Sequence, residues 1–98
     1  MKDQRSPRQR PEIVASEFRF ATEIQYSIQT LEDASLWAVH YRVRRLFLWG
    51  RWVSMREPAF YSYDAACRYL ASILREKNVR LYNPIVRESI AAHESGLD

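Results

Sequence analysis

Arginine and tryptophan residues are concentrated in the middle of this 98-residue chain, between positions 42 and 56. An arginine side chain forms planar, two-pronged hydrogen bonds with carboxylates and phosphates, and it stacks on aromatic rings. Tryptophan and arginine are also enriched among the residues that contribute most to protein–protein binding. This pattern predicts a surface that recognises a partner by stacking and ion pairing. The candidate partner-binding residues are Arg42, Arg44, Arg45, Trp49, Arg51, Trp52 and Arg56.

Residue types that usually carry catalysis or bind metal ions are few. His40 and His93 lie far apart in the sequence, without a nearby cysteine or paired acids to complete a metal site. His40 falls on the polar face of a predicted strand, where contact with solvent is the simplest interpretation. Cys67 lies on the apolar face of a predicted helix, which indicates a buried thiol of low reactivity. We therefore predict a protein that is not an enzyme and that uses neither cofactor nor metal.

Alternating polar and apolar residues before the arginine-rich region predict a β-hairpin. The first strand is predicted over residues 17–30 with its even-numbered side chains on the apolar face, and the second over residues 37–43 with the odd-numbered ones there. Residues 31–35 then form the connection. A helix is the competing interpretation of the first segment, because Phe20, Ile24 and Ile28 also recur at helical spacing.

The apolar face carries even-numbered residues in the first predicted strand and odd-numbered residues in the second, which restricts how the two strands can pair. One register places Glu23 opposite Arg44 and Gln25 opposite Arg42, whereas a second register places Glu23 opposite Arg42. In either register a carboxylate faces an arginine, and such a cross-strand pair contributes about 0.2–1 kcal/mol. Both registers remain open at this point.

Turn and capping residues predict the elements that follow. Gly50 is the natural place for a tight turn or bulge, from which a third strand returns over residues 51–56 and ends at Pro58. A helix is predicted over residues 63–77, with the Ser62 hydroxyl as its N-terminal cap. A short strand over residues 79–82 follows. The predicted fold class is α+β: a small antiparallel sheet of three to four strands with one main helix on one face, in the order β-β-β-α(-β).

Composition indicates one small domain. Residues 1–12 are polar and basic and predict a disordered arm, residues 13–83 the domain, and residues 84–98 a tail or weak helix. No apolar run approaches the length of about 18 residues needed to span a membrane, so no membrane partner is expected. The single cysteine fits a reducing compartment, and the predicted location is the cytoplasm.

The segment YRVRRLFLWGRWV, residues 41–53, and the later segment FYSYDAA, residues 60–66, resemble the strand-strand-helix layout of many short phage- and prophage-encoded proteins. In those proteins a basic, tryptophan-containing hairpin precedes a helix that opens on serine or threonine, an acid and alanine. The resemblance covers residues 37–77. It implies an inhibitor that binds a host enzyme or defence complex, acting in the host cytoplasm.

The predicted function is non-enzymatic binding of another protein. The alternative is a small DNA- or RNA-binding protein that uses the same arginines together with the basic arm. Sheets that stack RNA bases present aromatic rings on their open face, whereas Tyr26, Trp37 and Tyr41 align with the predicted core. A homodimer would also cover exposed aromatic rings. The sequence does not decide whether Trp49 and Trp52 complete the core or remain at the surface.

Overall fold

The alternating residues of the first half of the chain form an antiparallel sheet in the computed structural model, which describes residues 11–32, 35–75 and 78–94. Ten residues of the predicted basic arm lie outside these ranges. In chain order the elements are β1 (Ala15–Arg19), β2 (Thr22–Thr30), β3 (Trp37–Arg45), β4 (Leu48–Trp49), β5 (Val53–Phe60), α1 (Tyr63–Ile73), β6 (Val79–Leu81) and α2 (Pro84–Glu94).

The strands lie in the order β4-β3-β2-β1-β6, and β5 also pairs with β3. Since β2 occupies one edge of β3 along its whole length, β4 and β5 share the other edge. Both helices pack against the sheet or each other around a single core. The predicted α+β class with an antiparallel sheet is confirmed, although in the described residues the sheet has six strands instead of three to four, and a second helix joins the one that was expected.

The pairing of β2 with β3 follows the first of the two predicted registers. Glu23 lies opposite Arg44 and Gln25 opposite Arg42. Tyr26, Ile28 and Val39 are buried on the face toward the helices. Strand alternation therefore prevails, and the competing helix is wrong for this segment.

The predicted first strand is wrong in one respect, because it is two strands joined by a tight turn. Arg19 pairs with Thr22, which leaves Phe20 and Ala21 as the turn, and Phe20 has a φ of 53°. Phe18 lies opposite Glu23 and therefore faces away from the core side of the sheet. The turn escaped prediction because two-residue hairpin turns usually contain glycine, asparagine or aspartate where φ is positive.

The return of the chain after β3 also differs from the prediction. The turn is formed by Leu46 and Phe47, since Arg45 pairs with Leu48, and Leu46 has a φ of 62°. Gly50 instead lies at the irregular junction between β4 and β5. Pro58 does not end the strand, since β5 continues to Phe60. Proline is tolerated there because β5 is at the edge of the sheet, where an N–H is not needed for a second ladder.

Helix α1 begins where it was predicted but ends earlier. The Ser62 hydroxyl accepts a hydrogen bond from the Ala65 N–H at 3.0 Å, which satisfies a backbone donor of the first turn. The helix ends at Ile73 rather than Lys77 because Leu74 leaves the helical conformation, while its N–H bonds to the Ala71 carbonyl oxygen at 3.2 Å. The buried residues of α1 are Ala66, Cys67, Leu70 and Ala71.

The last part of the described chain completes the core. β6 corresponds to the short strand predicted over residues 79–82, and it pairs with β1. The Asn83 side chain accepts hydrogen bonds from the N–H groups of Ile85 at 2.8 Å and Val86 at 3.4 Å, and it donates to the Tyr63 hydroxyl at 3.1 Å. Asn83 thus caps α2 and ties it to α1. Within the segment predicted as a tail or weak helix, α2 buries Val86 and Ile90.

Candidate partner-binding surface

The face of the sheet opposite the helices carries the basic residues of β3. Val39 and Tyr41 belong to the core side, so Arg42 and Arg44 are on the reverse side, because side chains alternate along a strand. Trp49 pairs with Arg44 and shares that side. The arginines and the first tryptophan are therefore neighbours across two strands.

An extra residue between β4 and β5 brings the second tryptophan to the same side. Tyr41 and Arg44 are three positions apart in β3, whereas their partners Val53 and Trp49 are four positions apart. Such an extra residue is a bulge, and it shifts the alternation of faces. Without it Trp49 and Trp52 would point to opposite sides of the sheet. The extra residue lies between Trp49 and Val53, in the stretch that contains Gly50, where a tight turn or bulge was predicted.

The guanidinium group of Arg42 lies between the two tryptophans. Its central carbon is 4.4 Å from the ring centroid of Trp49 and 4.9 Å from that of Trp52. The Arg42 Nε–H also donates a hydrogen bond to the Gln25 side-chain oxygen at 2.9 Å. Cation–π contacts of this kind contribute about 0.5–1 kcal/mol each when they are exposed and more when they lose water. These contacts fix the positions of both tryptophan rings and of the Arg42 side chain.

Arg44, the next residue of β3 on this side of the sheet, also contacts Trp49. Its central carbon is 5.5 Å from the Trp49 ring centroid, and its terminal nitrogen forms an ion pair with Glu23 at 2.9 Å. We refer to Arg42, Arg44, Trp49 and Trp52 as the Arg/Trp stack. All four side chains are partly exposed. Both tryptophans thus lie at the surface and outside the buried core.

The other three predicted residues are not part of the stack. Arg45 is one residue further along β3 and lies in the row of Thr22 and Leu48. Arg51 is exposed in the junction between β4 and β5. Arg56 belongs to β5, and its side chain is outside the described part of the structure. Binding by any of the seven residues stays a prediction.

Several residues near the stack were not predicted to take part. Gln25 and Glu23 hold the two arginines, and Pro11 and Ile13 line a groove of about 550 Å³ beside Arg42 and Trp52. The pairing of Gln25 and Glu23 with arginines was visible in the register. The groove was not, because it depends on where the chain runs before β1.

The groups that were considered for catalysis do not assemble into a site. His40 is half-buried on the side of the stack, with Nδ1 3.1 Å from the Ala38 carbonyl oxygen. The side chain of His93 is outside the described residues. Among the described residues, no group of three metal-binding side chains occurs. Cys67 is fully buried as predicted, and burial raises the pKa of its thiol to about 11.

A buried carboxylate lies on the helix side of the sheet. Glu17 accepts a hydrogen bond from the Tyr26 hydroxyl at 2.9 Å and another from Arg19 Nε at 2.7 Å. Burial, and secondarily the bond to Glu17, raise the pKa of Tyr26 far above its usual value. Since a buried charge is stable only when it is paired and hydrogen-bonded, these contacts explain how Glu17 is tolerated inside the fold.

The buried thiol leads to a pH-dependent prediction. We expect Cys67 to resist alkylation in the folded protein at pH 9 and to react after unfolding in denaturant. Because its folded pKa exceeds the unfolded value, the stabilising contribution is complete below the unfolded pKa and is lost as the pH rises from about 9 to about 11. Urea unfolding across this range should show a falling midpoint.

A Cys67→Ala variant is the matched control for this measurement. It should show a smaller fall in the urea midpoint over the same range, while Tyr63, whose pKa is raised to about 12 by burial, still contributes at higher pH. Rapid alkylation of the folded wild-type protein would contradict the buried position of the thiol.

The fold and the surface together define an open antiparallel sheet with two helices on one face and an arginine–tryptophan stack on the other. No family model, curated protein or solved structure matches the chain. None of the helices in the described part of the chain is long and apolar enough to cross a membrane.

Proposed function

We propose that this chain is a non-enzymatic protein-binding module that contacts its partner through the Arg/Trp stack. The observation that carries the proposal is the Arg42 guanidinium held between Trp49 and Trp52. Side chains that are already ordered lose less conformational entropy on binding, so more of the contact energy appears as affinity. Tryptophan and arginine are the residue types that most often dominate such interfaces.

Two contacts favour a protein partner over nucleic acid. The Arg42 guanidinium contacts two tryptophan rings and donates a hydrogen bond to Gln25, and Arg44 is paired with Glu23. The charge of Arg44 is therefore partly neutralised, and one hydrogen-bond donor of Arg42 is already in use. Binding to nucleic acid depends instead on cations that neutralise phosphates. A partner protein can contact the outer surfaces of the rings without breaking these pairs.

Nucleic acid is the second candidate because Arg45 and Arg51 are exposed near the stack. These two residues, with the basic arm, would supply phosphate contacts. If the resemblance to short phage-encoded proteins holds, the partner is a host enzyme or defence complex, and the chain acts as its inhibitor in the cytoplasm. In a homodimer, the stacks of two copies would instead cover one another.

Affinity capture from a cell lysate, with and without nuclease, tests the proposal. We expect the tagged wild-type protein to retain one stoichiometric protein after nuclease treatment. Trp52→Ala should lose that protein, because it removes one side of the stack. Tyr61→Ala is the matched control, since Tyr61 is an exposed aromatic residue that follows β5, and it should retain the protein.

Nuclease sensitivity and mass in solution discriminate the alternatives. Loss of all captured material after nuclease treatment would contradict the protein-binding proposal and favour nucleic acid, and affinity should then fall steeply with salt. A mass of two chains for the wild type and of one chain for Trp52→Ala would instead indicate a homodimer.

A further inference from the structure

Two tight turns meet at one end of the sheet, and both present large apolar side chains to solvent. Arg19, Thr22, Arg45 and Leu48 pair in sequence across four strands and form one row. The turn of Phe20 and Ala21 and the turn of Leu46 and Phe47 both lie directly beyond this row. With strands about 4.8 Å apart, the two turns are separated by about 10 Å. We call Phe20, Leu46, Phe47 and Leu48 the apolar tips.

The apolar tips are fully solvated. Phe20 has an exposed fraction of 106%, and the values for Leu46, Phe47 and Leu48 are 73%, 87% and 77%. A groove of about 490 Å³ lies beside the second turn, lined by Leu46, Leu48 and Trp49 among others. Clusters of exposed apolar residues of this kind mark surfaces that contact a protein or a membrane.

Backbone conformation adds an independent observation. Phe20 and Leu46 have positive φ angles of 53° and 62°. Large side chains are unfavourable in this conformation, which glycine and asparagine adopt readily. Both turns therefore hold an apolar residue at a position where folding alone would favour a small or polar one. Such unfavourable choices concentrate at functional positions.

Cationic side chains lie immediately behind the tips. Arg19 and Arg45 belong to the row nearest the turns, and Arg44 belongs to the next row. Glu23, the one carboxylate in these two rows, is paired with Arg44, and Glu17 is paired with Arg19, so the net positive charge of these rows comes from Arg45. Moving from the end of the sheet inward, the surface is first apolar and then positively charged.

We propose that the apolar tips insert into the surface of an anionic phospholipid bilayer. Such a bilayer presents negative headgroups at its surface and hydrocarbon beneath them. The apolar tips would reach the hydrocarbon, while the arginines behind them would contact the headgroups. The expectation of no membrane partner rested on the lack of a spanning segment, and insertion of two turns needs none. The apolar tips adjoin the Arg/Trp stack, because Trp49 lines the groove beside the second turn and Arg44 lies in the second row behind the tips. None of the four tip residues belongs to the stack, and the inference does not rest on the proposed function.

Other occupants fit the tips less well. Two copies that met tip to tip would bring the positive charge of Arg45 in one copy toward that of Arg45 in the other, so the two copies would repel each other. Nucleic acid presents phosphates at its periphery, whereas the outermost residues here are apolar and the cations lie behind them. Charge complementarity therefore favours the anionic bilayer.

Sedimentation of the full chain with lipid vesicles tests this inference. The probes are vesicles of equal parts phosphatidylglycerol and phosphatidylcholine, and vesicles of phosphatidylcholine alone. We expect partition into the anionic vesicles, with weaker partition into the neutral ones. Phe47→Ser should lower the partition coefficient roughly tenfold or more, because it removes a large exposed apolar group that would enter the bilayer. Arg45→Gln should lower it about fivefold through the lost charge.

Matched variants separate insertion from loss of structure. Tyr61 is 86% exposed and follows the residue that pairs with Trp37, at the opposite end of the sheet, so Tyr61→Ser should leave partition within about twofold of wild type. Leu46→Asn relieves the unfavourable φ angle while removing an apolar tip. It should therefore raise the melting temperature and still lower the partition coefficient.

The inference is overturned if the wild type fails to sediment with anionic vesicles, or if Tyr61→Ser and Phe47→Ser weaken partition equally. Self-association or binding to duplex DNA that depends on Phe47, in the absence of vesicle binding, would also overturn it and would assign the tips to a second copy or to nucleic acid. Phe47→Ser should lose lipid binding and still retain the protein captured from the lysate, because Phe47 is not part of the Arg/Trp stack. The two proposals can therefore fail independently.

Discussion

Replacing Leu70 by alanine should lower the free energy of unfolding by about 2–5 kcal/mol. Leu70 is completely buried and is the largest of the fully buried side chains. It lies in α1, which contacts both the sheet and α2. Truncation removes apolar contacts and leaves a cavity, because the surrounding residues relax only partly. For a domain whose total stability is about 5–15 kcal/mol, this loss is large.

Urea denaturation followed by far-ultraviolet circular dichroism measures this effect. Ile73→Ala is the matched control, since Ile73 is in the same helix but is exposed, and its cost should stay below about 1 kcal/mol. Equal costs for the two variants would show that α1 does not pack through the face that contains Leu70.

Replacing Arg42 by alanine should lower the free energy of unfolding by about 1–3 kcal/mol. The substitution removes the cation between Trp49 and Trp52, and it also leaves the Gln25 side chain without its donor. Both tryptophans then lose a neighbour that fixes their rings. We therefore also expect a weaker near-ultraviolet circular dichroism signal and altered tryptophan fluorescence.

Two further variants interpret the Arg42 result. Arg51→Ala removes an exposed arginine from the neighbouring junction and should change stability by no more than about 0.5 kcal/mol. Arg42→Lys should fall between wild type and Arg42→Ala, because lysine keeps the charge but lacks the planar guanidinium group and its Nε donor. If Arg42→Ala and Arg51→Ala behaved alike, the Arg/Trp stack would contribute nothing to the fold.

Much of the sheet could be predicted from the sequence because strand alternation and face parity are local properties. They led to the pairing of Glu23 with Arg44 and of Gln25 with Arg42, and to the burial of Tyr26 and Val39. The start of α1 was also predictable, since an N-terminal cap needs only a hydroxyl at the right position.

The two turns were not predictable by the same means. Phe20 and Leu46 occupy positions of positive φ that sequence patterns assign to glycine or asparagine. In both segments the apolar residues continue the surrounding pattern, so the chain appeared to run straight through the first turn and to reverse at Gly50 instead of at the second. Three of the four apolar tips, Phe20, Leu46 and Phe47, lie in these two turns. No sequence pattern distinguished them from core residues.

The candidate surface was predicted only in part. Its residue types were identified from the concentration of arginine and tryptophan, but their grouping depends on the bulge between β4 and β5. That bulge places Trp49 and Trp52 on one side of the sheet. Arg45 lies in a different row because it follows Arg44 directly in β3. The sequence left open whether Gly50 forms a tight turn or a bulge, so it could not decide which side of the sheet Trp52 occupies.

By itself, therefore, the sequence determined the faces of β2 and of residues 37–43, the register of β2 with β3 to within two alternatives, the cap of α1 and the burial of Cys67. Each of these depends on interactions between near neighbours or on simple alternation. Only the tertiary structure decided where the chain turns, that Asn83 links α2 to α1, and that Arg42 lies between two tryptophans. Those features depend on contacts between segments that are distant in the sequence. The free energies of such contacts cannot be read from a local sequence pattern.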